Sequence, residues 1–161
     1  SLTSYELTNE GIANTIISDN AGGLLMKEGK VDMCITGTDR VLSNGDVINK
    51  IGTYLKALAA YDNKIPFYVA LPGTTIDMKN NKITSTMIEY RSSEELTHIS
   101  GIDTKGNLKE VRIFPKDCNT LNPAFDITPS KLITGLITEK GVYDSSTSGL
   151  LKYHNDENKL N

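Results

Sequence analysis

The stretch VDMCITGTDRVLSNGDVINKIGTYLKALAAYDNKIPFYVALPG, residues 31–73, decides the fold. Residues 31–36 are a short, largely apolar run, and residues 65–71 are a second, almost wholly apolar one that stops at Pro72-Gly73. Both read as strands. Between them Ile48, Ile51, Leu55, Leu58 and Ala59 recur at intervals of three or four. That spacing predicts a helix over residues 47–62 with those positions on one buried face. Apolar strands separated by a helix imply a parallel sheet covered on both faces, because the crossover packs back on the sheet. The expected fold class is α/β, an open and mostly parallel sheet with helices on both faces.

Working outward, IANTIIS (12–18) reads as a further strand, and Asp19-Asn20 can cap a helix over residues 21–28 that Gly29 stops. Downstream of Asp77 the pattern weakens, leaving a short helix near residues 93–97 and a strand near 109–114. Thr128-Pro129 is a helix-start signal and predicts a helix over residues 129–138. After Tyr143 the chain is small and polar, so a flexible tail is expected from Ser145 (145–161), leaving residues 1–144 as the domain. SLTSYELTNEG, at the other end, reads as the last turns of a helix closing at Gly11, as if the chain began inside something larger.

With 161 residues the chain is long enough for one real core and needs no disulfide or metal to fold. Its 38% hydrophobic and 23% charged residues exclude fibrous and wholly disordered classes. Seventeen Lys and Arg against twenty Asp and Glu give a net charge of -3, with no basic stripe to replace counterions, so no nucleic-acid partner is expected. No apolar run approaches the roughly 18 residues of a membrane span. A cytoplasmic location follows as the default, with no membrane partner. Cys34 and Cys118 are too far apart for a metal clip, and His98 and His154 stand alone, so no metal site is expected. Cys34, inside an apolar strand, reads as a small buried hydrophobe.

Ligands of open parallel sheets collect beyond the carboxyl ends of the strands. Residues 36–50 lie there and bring Asp39, Arg40, Asn44, Asp46, Asn49 and Lys50 close together. Asp39 follows its strand by three residues; under a substrate that excludes water it can hold and give a proton, or it can simply close its own Asx-turn. Arg40 and Asp46 are expected to pair across the loop. Asn49 and Lys50, in the first turn of the expected helix, offer free backbone N–H groups and a point charge to a phosphate, or serve as a capping asparagine and a solvated lysine. Neither GxxxxGK[ST] nor GxGxxG follows a strand, so no nucleotide cofactor is called for and an anionic sugar fits better. Thr74, Thr75 and Asp77 reach the same edge but read equally as a turn, and Tyr54 reads as packing against the sheet.

ITGTDRVLSNGDVINKIGTY (35–54), PFYVALPGTTID (66–77), IEYRSSEEL (88–96) and NPAFDITPSKLITGLITEKGV (122–142), with LTSYEL and ISDNAGGLLM before them, together resemble the methylthioribose-1-phosphate isomerases. These belong to a larger family shared with regulatory subunits of the translation-initiation guanine-nucleotide exchange factor. Asp39-Arg40 with Asp46 sides with the isomerases: the translation subunits typically carry glutamate and a non-arginine there, and ribose-1,5-bisphosphate isomerases usually lack the arginine and Asp46. The resemblance implies a Rossmann-like C-terminal domain, Asp39 as the acid of an aldose-to-ketose 1-phosphate conversion, Asn49 and Lys50 as substrate contacts, no cofactor, and a homodimer. The family's catalytic cysteine, substrate-binding glutamine and phosphate-binding arginines precede the region matched by Ser1, and Cys34 does not take the cysteine's place. The chain is therefore expected to hold half a site and to be inactive alone. Relatives acting on 5-deoxyribose 1-phosphate, and a non-catalytic assembly module of the translation type, are the alternatives.

Overall fold

The computed structural model describes residues 2–82 and 88–158. Its helices are α1 (Leu2–Asn9), α2 (Gly22–Lys27), α3 (Thr53–Asp62), α4 (Glu94–Thr97) and α5 (Thr147–Asn158). Its strands are β1 (Cys34–Thr36), β2 (Arg40–Leu42), β3 (Val47–Lys50), β4 (Phe67–Ala70), β5 (Ile76–Asp77), β6 (His98–Ile102), β7 (Leu108–Arg112), β8 (Phe125–Thr128), β9 (Gly135–Thr138) and β10 (Gly141–Tyr143).

The alternating burial of β4, with Phe67 and Val69 inward, places it at the centre of one sheet. That sheet runs β1-β4-β9-β10, with β1, β4 and β9 parallel and β10 turning back antiparallel. A second sheet runs β5-β2-β3-β8 and is mixed, its β2-β3 and β3-β8 pairs antiparallel and its β2-β5 pair parallel. One core joins them through Val41 and Val47 from the second sheet, Phe67, Val69 and Leu136 from the first, and Ala57, Ala60 and Leu150 from the helices. The open α/β architecture is thus present. Helix α2 closes where Gly29 adopts φ +67, and α4 and β7 stand near their expected places. No helix of the described residues is long and apolar enough to cross a membrane.

Four segments depart from the sequence reading. Residues 47–50, expected to open a helix, form β3, because Val47 and Ile48 are both buried between β2 and β8. Gly52 at φ +98 then breaks the strand, and the helix begins at Thr53. Most of the expected buried stripe faces outward: Ile51, before the helix, and Leu55 and Leu58 within α3 are exposed, whereas Thr53, Ala57 and Ala60 are buried. Small residues let the helix lie close to its neighbours; an ideal Cβ on Gly23 of α2 would sit 3.7 Å from the Ala59 Cβ.

Residues 12–18 join no ladder among the described residues and leave Ile12, Ile16 and Ile17 exposed. β-branched composition favours a strand only where a neighbour supplies a surface to pack on. Residues 129–138 are not a helix: Pro129 stays extended at ψ 141, one 3₁₀ turn covers Ser130–Leu132, and β9 follows. The Thr134 hydroxyl accepts the Phe67 N–H at 3.0 Å and ties this run to β4. The tail expected from Ser145 is helix α5 as far as Asn158, because Leu150 (0% exposed) and Tyr153 reach the core side. Its start is fixed by the Ser146 hydroxyl, which accepts the Gly149 N–H at 3.1 Å. The last three residues of that expected tail lie outside the described residues.

Candidate active site

Beyond the carboxyl ends of β1 and β4 lies an open cavity of about 450 Å³, lined in part by Asp39, Arg40, Thr74, Thr75 and Asp77. Thr38 builds the loop that carries Asp39. Its hydroxyl lies 2.9 Å from the Ile48 carbonyl oxygen and accepts the Arg40 N–H at 3.1 Å. The Asp39 N–H also donates to the Ile48 carbonyl, at 3.1 Å. With Arg40 paired to Ile48 in the ladder, these bonds hold the Asp39 backbone against Ile48, the residue before Asn49. Asp39 is exposed at the cavity, so exclusion of water there has to come from a bound substrate or a covering segment.

Arg40 does not pair with Asp46. Its Nη1 lies 3.0 Å from Asp77 Oδ2, across the β2-β5 pair. Asp46 is taken up by the turn instead: Oδ2 accepts from the Asn44 amide at 2.7 Å and Oδ1 accepts the Ser130 N–H at 2.9 Å. Asp77 accepts from the Asn80 side chain at 2.8 Å and from the Lys79 and Asn80 N–H groups. The Asn80 amide, these backbone donors and the Arg40 charge hold its carboxyl below the usual aspartate value. Because the unfolded pKa is the higher one, about 3.9, the stabilisation is complete above that pH and disappears as pH falls through the folded value. Asp77→Asn is expected to lower the melting temperature by roughly 2–4 °C at pH 7, the scale of a part-exposed ion pair. That difference should shrink on acidification below pH 4 in paired thermal scans; a constant gap would assign the loss to packing.

Asn49 and Lys50 are on β3, not in the first turn of a helix. The Asn49 amide donates to the Thr53 hydroxyl at 3.0 Å, and that hydroxyl donates to the Lys50 carbonyl at 2.7 Å. Successive strand residues face opposite sides, so Asn49 and the exposed Lys50 diverge. The start of α3 already has its anion: Asp126 Oδ2 accepts the Gly52 N–H at 2.7 Å and Oδ1 accepts the Tyr54 N–H at 3.1 Å. Asp126 was not legible as a cap, because it lies more than seventy residues downstream of the N–H groups it accepts and reaches them through the β3-β8 pairing.

Asp19 and Asn20 line a different, smaller cavity of about 220 Å³ with Gly52 and Lys56. Asp19 is almost fully exposed, 3.8 Å from Lys56 Nζ. Tyr54 is partly exposed, with 36% of its surface open to solvent. Cys34 is half-buried, and burial pushes its thiol up; Cys118 is exposed. Among the described residues no group of three His, Cys, Asp or Glu is placed to hold a metal ion.

A model of the Initiation factor 2 subunit family matches residues 1–145. The chain is 51% identical over 159 residues to the methylthioribose-1-phosphate isomerase of Gluconobacter oxydans (strain 621H), covering 98% of this chain and 43% of that protein. It is 57% identical over 143 residues to the same-named protein of Sulfurimonas denitrificans, covering 88% and 40%. The crystal structure of 5-methylthioribose 1-phosphate isomerase from Pyrococcus horikoshii OT3 superposes with a TM-score of 0.82 at 39% identity, over 96% of this chain and 41% of that one. The translation initiation factor eIF-2B subunit delta from A. fulgidus superposes with a TM-score of 0.76 at 39% identity, over 94% and 42%. The chain therefore spans about two fifths of the length of the curated relatives it matches.

Proposed function

We propose, on the premise that this chain belongs to the Initiation factor 2 subunit family, that it supplies the acid-bearing wall of an aldose–ketose isomerase acting on 5-methylthioribose 1-phosphate. The observation that carries this reading is Asp39 on the wall of the strand-end cavity, with Arg40 on the same wall and Asn49 next to the Ile48 that Asp39 is bonded to. The names of the relatives, at about half identity, support it.

Phosphate on the anomeric oxygen blocks spontaneous opening of the sugar ring, so the reaction needs an acid at the ring oxygen. Asp39 donates that proton and the ring C–O bond breaks. Hydrogen then moves from C2 to C1, as a proton through an enediol or as a hydride, and the C2 hydroxyl loses its proton as the ketone forms. That second proton restores the acid, so protons and electrons balance. Asn49 is the proposed substrate contact on the Asp39 side of β3; Lys50, on the strand's other side, reaches the phosphate only by folding its long side chain around the strand end. The remainder of the site comes from a segment outside this chain, so the chain alone is inactive. A cytoplasmic location and a two-fold homodimer belong to the same reading; exposed Leu55 and Leu58 on α3, with Ile51 just before it, are apolar surface of the kind such an interface covers.

Phosphorus NMR of 5-methylthioribose 1-phosphate is the test. The full-length protein is expected to convert it to the ketose phosphate, and the 161-residue chain is expected to leave it unchanged. Turnover by the chain alone would refute the half-site argument. The likeness to the A. fulgidus subunit favours a second reading, a non-catalytic assembly module. Capture of initiation-factor subunits by a full-length protein that binds neither this sugar phosphate nor 5-deoxyribose 1-phosphate or ribose 1,5-bisphosphate would select it.

A further inference from the structure

The cavity wall formed by Thr74 and Thr75 is held by α5. After β4 the backbone makes one 3₁₀ turn, Gly73–Thr75, and Thr74 and Thr75 line the cavity with Asp39. The Gly73 N–H donates to Glu139 Oε2 at 3.0 Å. Glu139 Oε1 accepts the Tyr153 hydroxyl at 2.7 Å. Tyr153 belongs to α5 and is 3% exposed. Its ring meets Tyr143 edge-on with centroids 5.4 Å apart, and the Lys140 ammonium stands 4.6 Å from its centre. A Cβ on residue 73 would collide with the Tyr153 phenol oxygen, so the turn rests directly against α5.

The chemistry of this link is specific. Both partners of Glu139 are donors, and a carboxylate offers each an oxygen, whereas an amide has one acceptor oxygen for the two. The Tyr153 hydroxyl foremost, with backbone donors including Gly73 and the Lys140 charge, holds the Glu139 carboxyl below the usual glutamate value. It is thus an acceptor for both partners near neutral pH.

We propose that Glu139 and Tyr153 are positioning residues that set the Gly73–Thr75 turn against the substrate cavity, which makes α5 part of the site's support. This rests on the isomerase reading above, and its test separates the two. In the full-length protein, Tyr153→Phe and Glu139→Gln are expected to speed amide exchange over residues 73–75 by about tenfold, with exchange in β4 itself changed little. Tyr143→Phe, which removes a hydroxyl bond to Asp156 (3.2 Å) from the same helix interface, is the control. It should leave exchange at residues 73–75 within about twofold. In the isomerase assay the two positioning variants should raise KM about tenfold while kcat stays within about twofold, and the control should leave both alone. Unchanged exchange at residues 73–75, or a loss of thermal stability with KM unmoved, would overturn the proposal. Absence of turnover in the parent protein would overturn the isomerase reading instead, and the exchange measurement would still decide whether α5 holds the turn.

Discussion

Asp39→Asn in the full-length protein is expected to cut kcat for 5-methylthioribose 1-phosphate by about 10²- to 10⁴-fold, the usual contribution of a positioned general acid. The amide keeps the size and polarity of the side chain but has no proton to give to the ring oxygen. The loop should survive the change, because its ties run through the Thr38 hydroxyl and the backbone N–H of residue 39, neither of which is altered. The side chain is exposed, so no packing is lost. The melting temperature should stay within about 1 °C, as for a surface substitution away from structural features. Phosphorus NMR rates beside a thermal scan separate chemistry from folding, and undiminished turnover would remove Asp39 from the mechanism.

Gly45→Ala is expected to have the largest effect on stability. Gly45 has φ +90, a conformation that costs an L residue about 1–2 kcal/mol. An added Cβ would also run into the Ser145 backbone carbonyl, which cannot rotate away as a side chain would. The same approach brings the Ser145 hydroxyl to the Gly45 carbonyl oxygen at 2.7 Å, and the next residue, Asp46, accepts the Ser130 N–H. One turn therefore clamps two distant parts of the chain. Strain and overpacking together should cost roughly 3–5 kcal/mol, or about 10 °C in melting temperature. Gly37→Ala is the comparison, since a Cβ there meets nothing within 4 Å, and it should melt within about 1 °C of the parent. Equal melting of the two variants would disprove the clamp. The turn also matters for the site, because the strands it joins carry Arg40 and Asn49.

Asp39 and Arg40 could be placed beyond the end of β1 from the chain alone, because a run such as Cys34–Thr36 has few conformations open to it once a turn-forming loop follows. Asn49 and Lys50 were named from the residue pattern but assigned to the wrong element. Val47 and Ile48 fit a helical spacing as well as a strand, and the choice falls to β2 and β8, which bury both residues. Glu139 and Tyr153 carried no signal at all: their link to Gly73 spans 66 residues for Glu139 and a further 14 to Tyr153.

Local order was readable wherever the physics is local. Glycine at positive φ stops α2, and the alternation of apolar runs yields the parallel strands β1 and β4, although β4 buries one face fully and the other only in part. Packing settled the rest. Which side of α3 turns inward, whether residues 129–138 coil or extend, and whether a polar terminal segment becomes a helix all depend on surfaces that distant residues provide. A short segment's own preferences differ by less than the free energy of burying Leu150 or Val47 against such a surface, so the partner, not the segment, makes the choice.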